Sequence, residues 1–118
     1  MKFYKHDQVP FHPVRPGAGV KLLHTDHLTV ATWKLDQGGE VPRHTHPEEQ
    51  TVCLLQGRIE MFTEQGAAVF EAGDRIVLAG NEPHAVKALE DSIIIDIFSA
   101  IREDLRAQFP ALAPAGDG

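Results

Sequence analysis

Short runs rich in Val, Ile, Leu, Thr and Phe alternate with turn sequences between residues 20 and 98. The turns recur every 8 to 12 residues or so, a spacing that is typical of an all-β sandwich or barrel. No stretch before residue 99 has a helical period. The pattern predicts strands at 28–35, 49–55, 58–63, 67–71, 75–78, 84–89 and 92–98.

The two ends of the chain differ from this central part. Residues 1–19 contain three prolines and a Gly-Ala-Gly sequence, which predict an extended arm. After Ser99, which can cap a helix, Ile101, Leu105 and Phe109 recur four residues apart and predict one short helix. We therefore expect an arm over 1–19, a β-barrel with a short C-terminal helix over 20–109, and a flexible tail over 110–118.

Both faces of the strand predicted at 92–98 are apolar. Because side chains alternate along a strand, one face holds three isoleucines and the other holds two apolar residues and an acid. The first face is Ile93, Ile95 and Ile97, and the second is Ile94, Asp96 and Phe98. A barrel strand covers only its inward face with its own core, so the outward face needs a partner. The pattern favours a homodimer.

The charge balance excludes some classes of partner. The chain has 11 Lys and Arg against 17 Asp and Glu, a formal net charge of −6, and lacks the basic face that binds a phosphate backbone. No unbroken apolar run approaches the roughly 20 residues of a membrane span. The single Cys53 cannot form an intramolecular disulfide. We expect a cytoplasmic protein that binds neither nucleic acid nor membrane.

Three histidines form a candidate metal site. His44 and His46 share one face of an extended segment, because side chains two residues apart point the same way. His84, from a neighbouring strand, would complete a set of imidazole ligands with open positions for substrate. Neutral imidazole suits Zn, Cu, Fe and Ni. The pair alone leaves an alternative, in which these are loop histidines that bind no metal.

Two longer motifs surround these histidines. They are Gly38-x5-His44-x-His46-x3-Gln50-x6-Gly57 and Gly73-x5-Ala79-x-Asn81-x2-His84-x3-Ala88. Over about residues 20–98 they resemble the two cupin motifs. The resemblance implies an all-β cupin barrel, a double-stranded β-helix or jelly roll. In that fold the first motif supplies two His and a Glu, and the second supplies a His, to one metal.

Gln50 stands where most cupins have Glu. If its amide oxygen is a ligand, the whole donor set is neutral and the divalent charge stays uncompensated. Such a centre favours polarisation of an anionic or carbonyl-bearing ligand over oxygen activation. In the alternative, Gln50 points away and Glu48 or Glu49 supplies a carboxylate. We expect one divalent metal per chain, and the sequence allows Zn, Ni, Mn or Fe.

A narrower resemblance runs from Lys5 through Asp104. The strings His44-Thr-His-Pro-Glu-Glu-Gln50 and Asp96-Ile-Phe98-x3-Arg102-Glu-Asp104 are similar to small bacterial cupins of the KdgF type. Those proteins open the rings of 4,5-unsaturated monouronates from pectin and alginate breakdown, giving linear keto forms. The resemblance implies an isomerase-like enzyme with a small anionic sugar substrate. Its implied metal ligands are His44, His46, Gln50 and His84, and its implied catalytic residues are Asp96, Phe98 and Arg102.

Asp96 also stands out without the resemblance. A carboxylate between Ile95 and Ile97 is costly to bury unpaired, so it needs a partner or a chemical role. It could transfer protons in the barrel mouth, or form an ion pair with Arg102 that fixes the strand-to-helix junction. Arg102 could instead bind a substrate carboxylate.

Two other functions stay open at this point. One is a different metal-dependent cupin enzyme, such as a dioxygenase, lyase or polyketide cyclase, because a fold does not decide its chemistry. The other is a non-catalytic sugar-binding or sensor cupin.

Overall fold

The computed structural model of the protein describes residues 1–109 and 114–117. These residues form twelve β-strands, one 3₁₀ turn at His6–Gln8 and one helix, α1, at Glu103–Gln108. The strands are β1 (Lys2–Phe3), β2 (His12–Arg15), β3 (Ala18–His24), β4 (Leu28–Leu35), β5 (Glu40–His44), β6 (Glu49–Gln56), β7 (Arg58–Thr63), β8 (Gly66–Glu71), β9 (Arg75–Leu78), β10 (His84–Ala88), β11 (Ser92–Ser99) and β12 (Gly116–Asp117).

Ten of the strands form two antiparallel sheets that enclose the core. The larger sheet has the order β2-β3-β4-β11-β6-β9, and the smaller has the order β5-β10-β7-β8. The two short strands β1 and β12 pair with each other. The predicted all-β barrel with a short C-terminal helix is confirmed.

Alternation along the strands decides what the barrel buries. On β11, Ile94 is 3% exposed and Phe98 is 2% exposed, whereas the isoleucines between and beside them are half-buried. Across the sheets, the inward apolar side chains form two core clusters, a smaller one that includes Ala31 and Phe98 and a larger one. The most buried members of the larger cluster include Leu35, Val52, Leu54, Ile59, Met61 and Leu78. Several inward positions near one end of the barrel carry polar side chains, among them Gln50, His84 and Asp96, and that end holds the candidate site.

The outward face of the larger sheet is apolar across several strands. The register places Ile97 beside Val30 on β4 and Thr51 on β6, and Thr51 pairs with Val77 on β9. Val77 is 66% exposed. The homodimer expected from this face stays a prediction.

Two strands that the sequence pattern did not predict contain proline. Pro13 lies in β2 and Pro42 in β5, and each of these strands is the outer strand of its sheet. Proline removes a backbone donor, so an edge strand accepts it while a central strand does not. Much of the expected N-terminal arm is therefore paired, because β1 pairs with β12 and β2 hydrogen-bonds to β3, which begins within the arm at Ala18. The strands β1, β3 and β12 were also missing from the prediction.

The C-terminal helix starts later than predicted. Ser99 is the last residue of β11, and the residue before the helix is Arg102, so Ser99 is not the cap. Leu105 and Phe109 pack against the core cluster that includes Phe98. Residues 110–113 and 118 of the predicted tail lie outside the described residues. No helix among the described residues is long and apolar enough to cross a membrane.

Candidate metal centre and cavity

The three predicted histidines meet at one end of the barrel. His44 ends β5 and His84 begins β10, and the two residues are register partners in the smaller sheet. His46 lies in the turn that leads into β6. One nitrogen from each of the three lies within 4.8 Å of the other two. The His84 ring is 4.3 Å from that of His44 and 5.1 Å from that of His46, between centroids.

Backbone carbonyls fix which nitrogen of each imidazole faces the centre. Each ring places Nδ1 against a carbonyl oxygen two residues away: His44 against Pro42 at 2.8 Å, His46 against Glu48 at 3.0 Å, and His84 against Glu82 at 2.8 Å. A neutral imidazole has one N–H, so donation from Nδ1 leaves the lone pair on Nε2. Carbonyl partners of this kind commonly orient metal-binding histidines.

The state of the central nitrogens fits a metal. Burial lowers the pKa of His46 and of His84, which keeps both rings in the neutral form that ligates. The Nε2 atom of His84 is buried and has no hydrogen-bond partner. A cation would bind this otherwise unsatisfied lone pair. The described residues therefore fit a metal held by His44, His46 and His84.

Gln50 joins the same group of donors. It is the second residue of β6, is 5% exposed, and places Oε1 2.9 Å from Nε2 of His46. With Nδ1 of His46 already donating, these two atoms are both acceptors. A cation bound by both acceptors would stabilise this close contact between them. Gln50 as a fourth ligand stays a prediction, which its position beside His46 favours. The Glu48 carboxylate lies 3.7 Å from Nδ1 of His46 and 3.2 Å from Nε of Arg102, and Glu49 is exposed.

A cavity of about 430 Å³ opens beside the histidines. Strands from both sheets line it, so it combines an apolar wall with polar groups at its inner end. Its apolar lining includes Trp33, Val41, Met61, Val86, Ile94 and Phe98, and its polar lining includes His44, Gln50, His84 and Asp96. A concave, mostly apolar space with a few convergent polar groups is the usual form of a small-molecule site.

Asp96 lies on the inward face of β11, between Ala31 of β4 and Val52 of β6. It is 7% exposed, and its Oδ1 atom is buried without a hydrogen-bond partner. Burial raises the pKa of Asp96 to about 7, against the opposing effects of Gln50, Arg102 and Trp33. A carboxyl with a pKa near neutrality can both accept and donate a proton.

Phe98 and Arg102 form a layer beside the metal ligands. The Phe98 ring meets the His46 ring edge-on, with centroids 5.2 Å apart, and the Arg102 guanidinium lies 4.7 Å from the centroid of Phe98. Phe98 therefore contacts both the ligand His46 and the cation Arg102. This packing fixes the orientation of the imidazole by contact with a buried ring.

Arg102 is already paired with two acids. Its Nε and Nη2 atoms donate to the two carboxylate oxygens of Asp104 at 2.9 and 2.7 Å, which lowers the pKa of Asp104. Its Nε atom also lies 3.2 Å from Oε1 of Glu48. Within the described ranges, Asp96 is not an ion-pair partner of Arg102. The ion-pair alternative for Asp96 therefore has no support in this arrangement.

Sequence reasoning missed Arg15, which lines the cavity from the end of β2. It lies in the segment whose prolines predicted an extended arm. The sequence feature that could have identified it is Pro13, because proline is compatible with an edge strand. An edge strand at this position would have placed Arg15 on the barrel.

The family of the chain follows from comparison with known proteins. The cupin domain model matches residues 31–98, so the chain belongs to the cupin family. It is also 32% identical to KdgF from Halomonas sp., with a TM-score of 0.81 over 87% of this chain and 98% of that one. The protein is a KdgF-like cupin.

Two more distant structures share the fold. An RmlC-like cupin from Shewanella frigidimarina is 24% identical, with a TM-score of 0.81 over 87% of this chain and 94% of that one. Oxalate decarboxylase from Bacillus subtilis is 14% identical, with a TM-score of 0.78 over 95% of this chain and 37% of that one. No curated protein sequence matches the chain significantly.

Proposed function

We propose that this protein is a metal-dependent enzyme that opens the ring of 4,5-unsaturated monouronates to the linear keto form. The observation that carries the proposal is the position of Asp96, a buried carboxyl on the same cavity as three converging imidazoles. The similarity to KdgF from Halomonas sp. supports the choice of substrate.

The metal would be held by His44, His46 and His84, with Gln50 as a fourth ligand. When bound, a divalent cation polarises the substrate oxygens that it contacts and stabilises negative charge that develops on them. The protein ligands in this set are all neutral, so they do not offset the charge of the cation. Zn, Ni, Mn and Fe all suit such a set.

The proposed reaction is an isomerisation that needs no oxidant or second substrate. The anomeric hydroxyl loses its proton, its oxygen forms a double bond to C1, and the bond between C1 and the ring oxygen breaks. The electron pair moves to the ring oxygen, which becomes the enolate oxygen on C5. Protonation at C4 then converts the C4=C5 enol to a C5 ketone, so one proton has moved from oxygen to carbon.

Asp96 is the residue suited to move that proton. Its carboxyl lines the cavity and its pKa is raised by burial, so it can take the proton from the anomeric hydroxyl as a carboxylate and return it at C4 as the acid. Its apolar neighbours on the cavity wall, Ile94 and Phe98, limit competing exchange with water. Phe98 and Arg102 are positioning residues in this scheme, because they contact His46 and the acids around it.

The experiment compares the metal-loaded wild type with Asp96→Asn, following loss of the conjugated C4=C5 absorbance of an unsaturated monouronate. We expect the wild type to accelerate the loss over spontaneous opening, and we expect Asp96→Asn to lower kcat by about 10²- to 10⁴-fold, the usual contribution of a general acid–base group. Bound metal should be unchanged. Asp26→Asn, at an exposed turn between β3 and β4, is the matched control and should keep full activity.

Two results would contradict the proposal in different ways. A metal-loaded wild type that gives no acceleration means that the cavity serves another ligand, and oxygen consumption would then indicate an oxygenase. An Asp96→Asn variant with wild-type kcat means that the ring opens without this carboxyl, and the proton-transfer role of Asp96 is wrong.

A further inference from the structure

Three arginines line the cavity, and two of them are neutralised by acids of the protein. Arg102 donates two hydrogen bonds to Asp104 and lies beside Glu48. Arg43 lies 3.3 Å from Glu64, and both of these side chains are well exposed to solvent. Neither arginine offers a free positive charge to an anionic ligand in the cavity.

The third arginine, Arg15, is different. The residue as a whole is half-buried, and the one hydrogen bond of its side chain to the described residues is exposed and runs from Nη1 to the backbone carbonyl of Glu40 at 3.2 Å. No carboxylate among residues 1–109 forms an ion pair with it. Asp36, which borders a neighbouring depression together with Arg15, is not within ion-pair distance either.

The position of Arg15 connects the two sheets at the cavity. Arg15 ends the edge strand β2 of the larger sheet, and Glu40 begins the edge strand β5 of the smaller one. Strand β5 continues through Arg43 to His44, so the same strand that holds the arginine side chain also carries a metal ligand. The hydrogen bond to Glu40 therefore holds the positively charged Arg15 side chain at the wall of the cavity.

We propose that Arg15, rather than Arg102, binds the carboxylate of the sugar acid and makes the site select acidic over neutral sugars. The Arg15 guanidinium lines the cavity and forms no ion pair with an acid of residues 1–109, and its planar fork matches a carboxylate with two hydrogen bonds. The inference rests on the proposed function for its substrate. It adds the residue that recognises the acid group of that substrate.

The experiment measures binding and kinetics in parallel for the metal-loaded wild type, Arg15→Gln and Arg15→Lys. The binding probes are D-galacturonate, a saturated uronate, and D-galactose, its neutral counterpart, by calorimetry or ligand-observed NMR. The matched control is Arg43→Gln, which removes the cavity arginine that is already paired with Glu64. Thermal melting establishes that each variant is folded, and Arg15→Lys keeps a positive charge if the neutral variant is unstable.

We expect Arg15→Gln to weaken galacturonate binding and to raise KM for the unsaturated uronate by roughly 10- to 100-fold, the range for a charge-assisted hydrogen bond. The value of kcat should change little, and galactose binding should be unaffected. Arg15→Lys should have a galacturonate affinity and a KM between those of the wild type and those of Arg15→Gln. Arg43→Gln should match the wild type in all of these.

The outcomes separate this inference from the proposed function. If the wild type opens the unsaturated uronate and Arg15→Gln has an unchanged KM, the inference is overturned and the function stands. If the wild type opens no uronate but binds galacturonate through Arg15, the inference stands and the reaction is wrong. Equal affinity of the wild type for galacturonate and galactose would also overturn the inference.

Discussion

Replacing Asp96 by asparagine should change the pH dependence of stability in the metal-free protein. Asparagine has nearly the same shape but carries no charge at any pH. The Asp96 side chain is 7% exposed and has one oxygen without a partner, so the folded state disfavours its ionised form. Metal-free protein is required, because a nearby cation would favour the carboxylate and reduce the effect.

The expected magnitude follows from the raised pKa. Folding moves the pKa of Asp96 from 3.8 to about 7. At about 1.4 kcal/mol for each pKa unit, the wild type therefore loses roughly 4 kcal/mol of stability, because its carboxyl ionises at lower pH in the unfolded chain than in the folded one. The loss is absent below the unfolded-state pKa of 3.8, grows with rising pH, and is complete above the folded-state pKa of about 7. Asparagine does not titrate, so its variant should avoid this loss.

The assay is urea unfolding of both proteins, stripped with a chelator, at several pH values between about 4.5 and 8. The free energy of unfolding of Asp96→Asn, minus that of the wild type, should rise by about 3 to 4 kcal/mol across this range. Asp26→Asn, which removes an exposed carboxylate at the turn between β3 and β4, is the matched control for the loss of one acid. A constant difference for Asp96→Asn would refute the reasoning, because it would mean that the carboxyl ionises without cost in the folded protein.

Three further predictions test the site and the outer sheet face. His84→Ala should lose bound metal, measured as metal per chain, and full occupancy would show that the second motif is misassigned. Gln50→Glu should keep or tighten metal binding, since a carboxylate adds charge at the same place. Ile95→Lys should convert the expected dimer to monomers in sedimentation, because it would bury an unpaired cation. A wild type that sediments as a monomer at micromolar concentration would contradict that expectation.

The strong apolar alternation of the central strands made most of the fold predictable. The faces of β11 follow from period 2 alone, and Ile94 and Phe98 are buried as that period requires. Strands β2 and β5 were not predictable in the same way, because Pro13 and Pro42 are compatible with a strand only at a sheet edge. Edge position is a property of the assembled sheet and cannot be predicted from the local sequence.

The candidate metal ligands were easier to predict from the sequence than the ion pairs around them. The spacing of His44 and His46 and the motif around His84 were enough to bring the three rings together. The partner of Arg102 could not be predicted from the sequence, because both Asp96 and a substrate carboxylate suited its planar guanidinium equally well. The choice of Asp104 depends on the turn between β11 and α1, which places that acid two residues further along the chain against the guanidinium.

The most direct test of the central claim is to identify the product by ¹H NMR. A 4,5-unsaturated monouronate is followed without oxygen in the presence of metal-loaded protein, chelator-stripped protein, stripped protein with metal restored, and no protein. Our account predicts that loaded and restored protein convert the C4 vinyl proton signal to that of a C4 methylene beside a ketone, faster than the spontaneous reaction. Stripped protein should match the sample without protein. Equal rates in all four samples, or a product other than the linear keto form, would contradict the account.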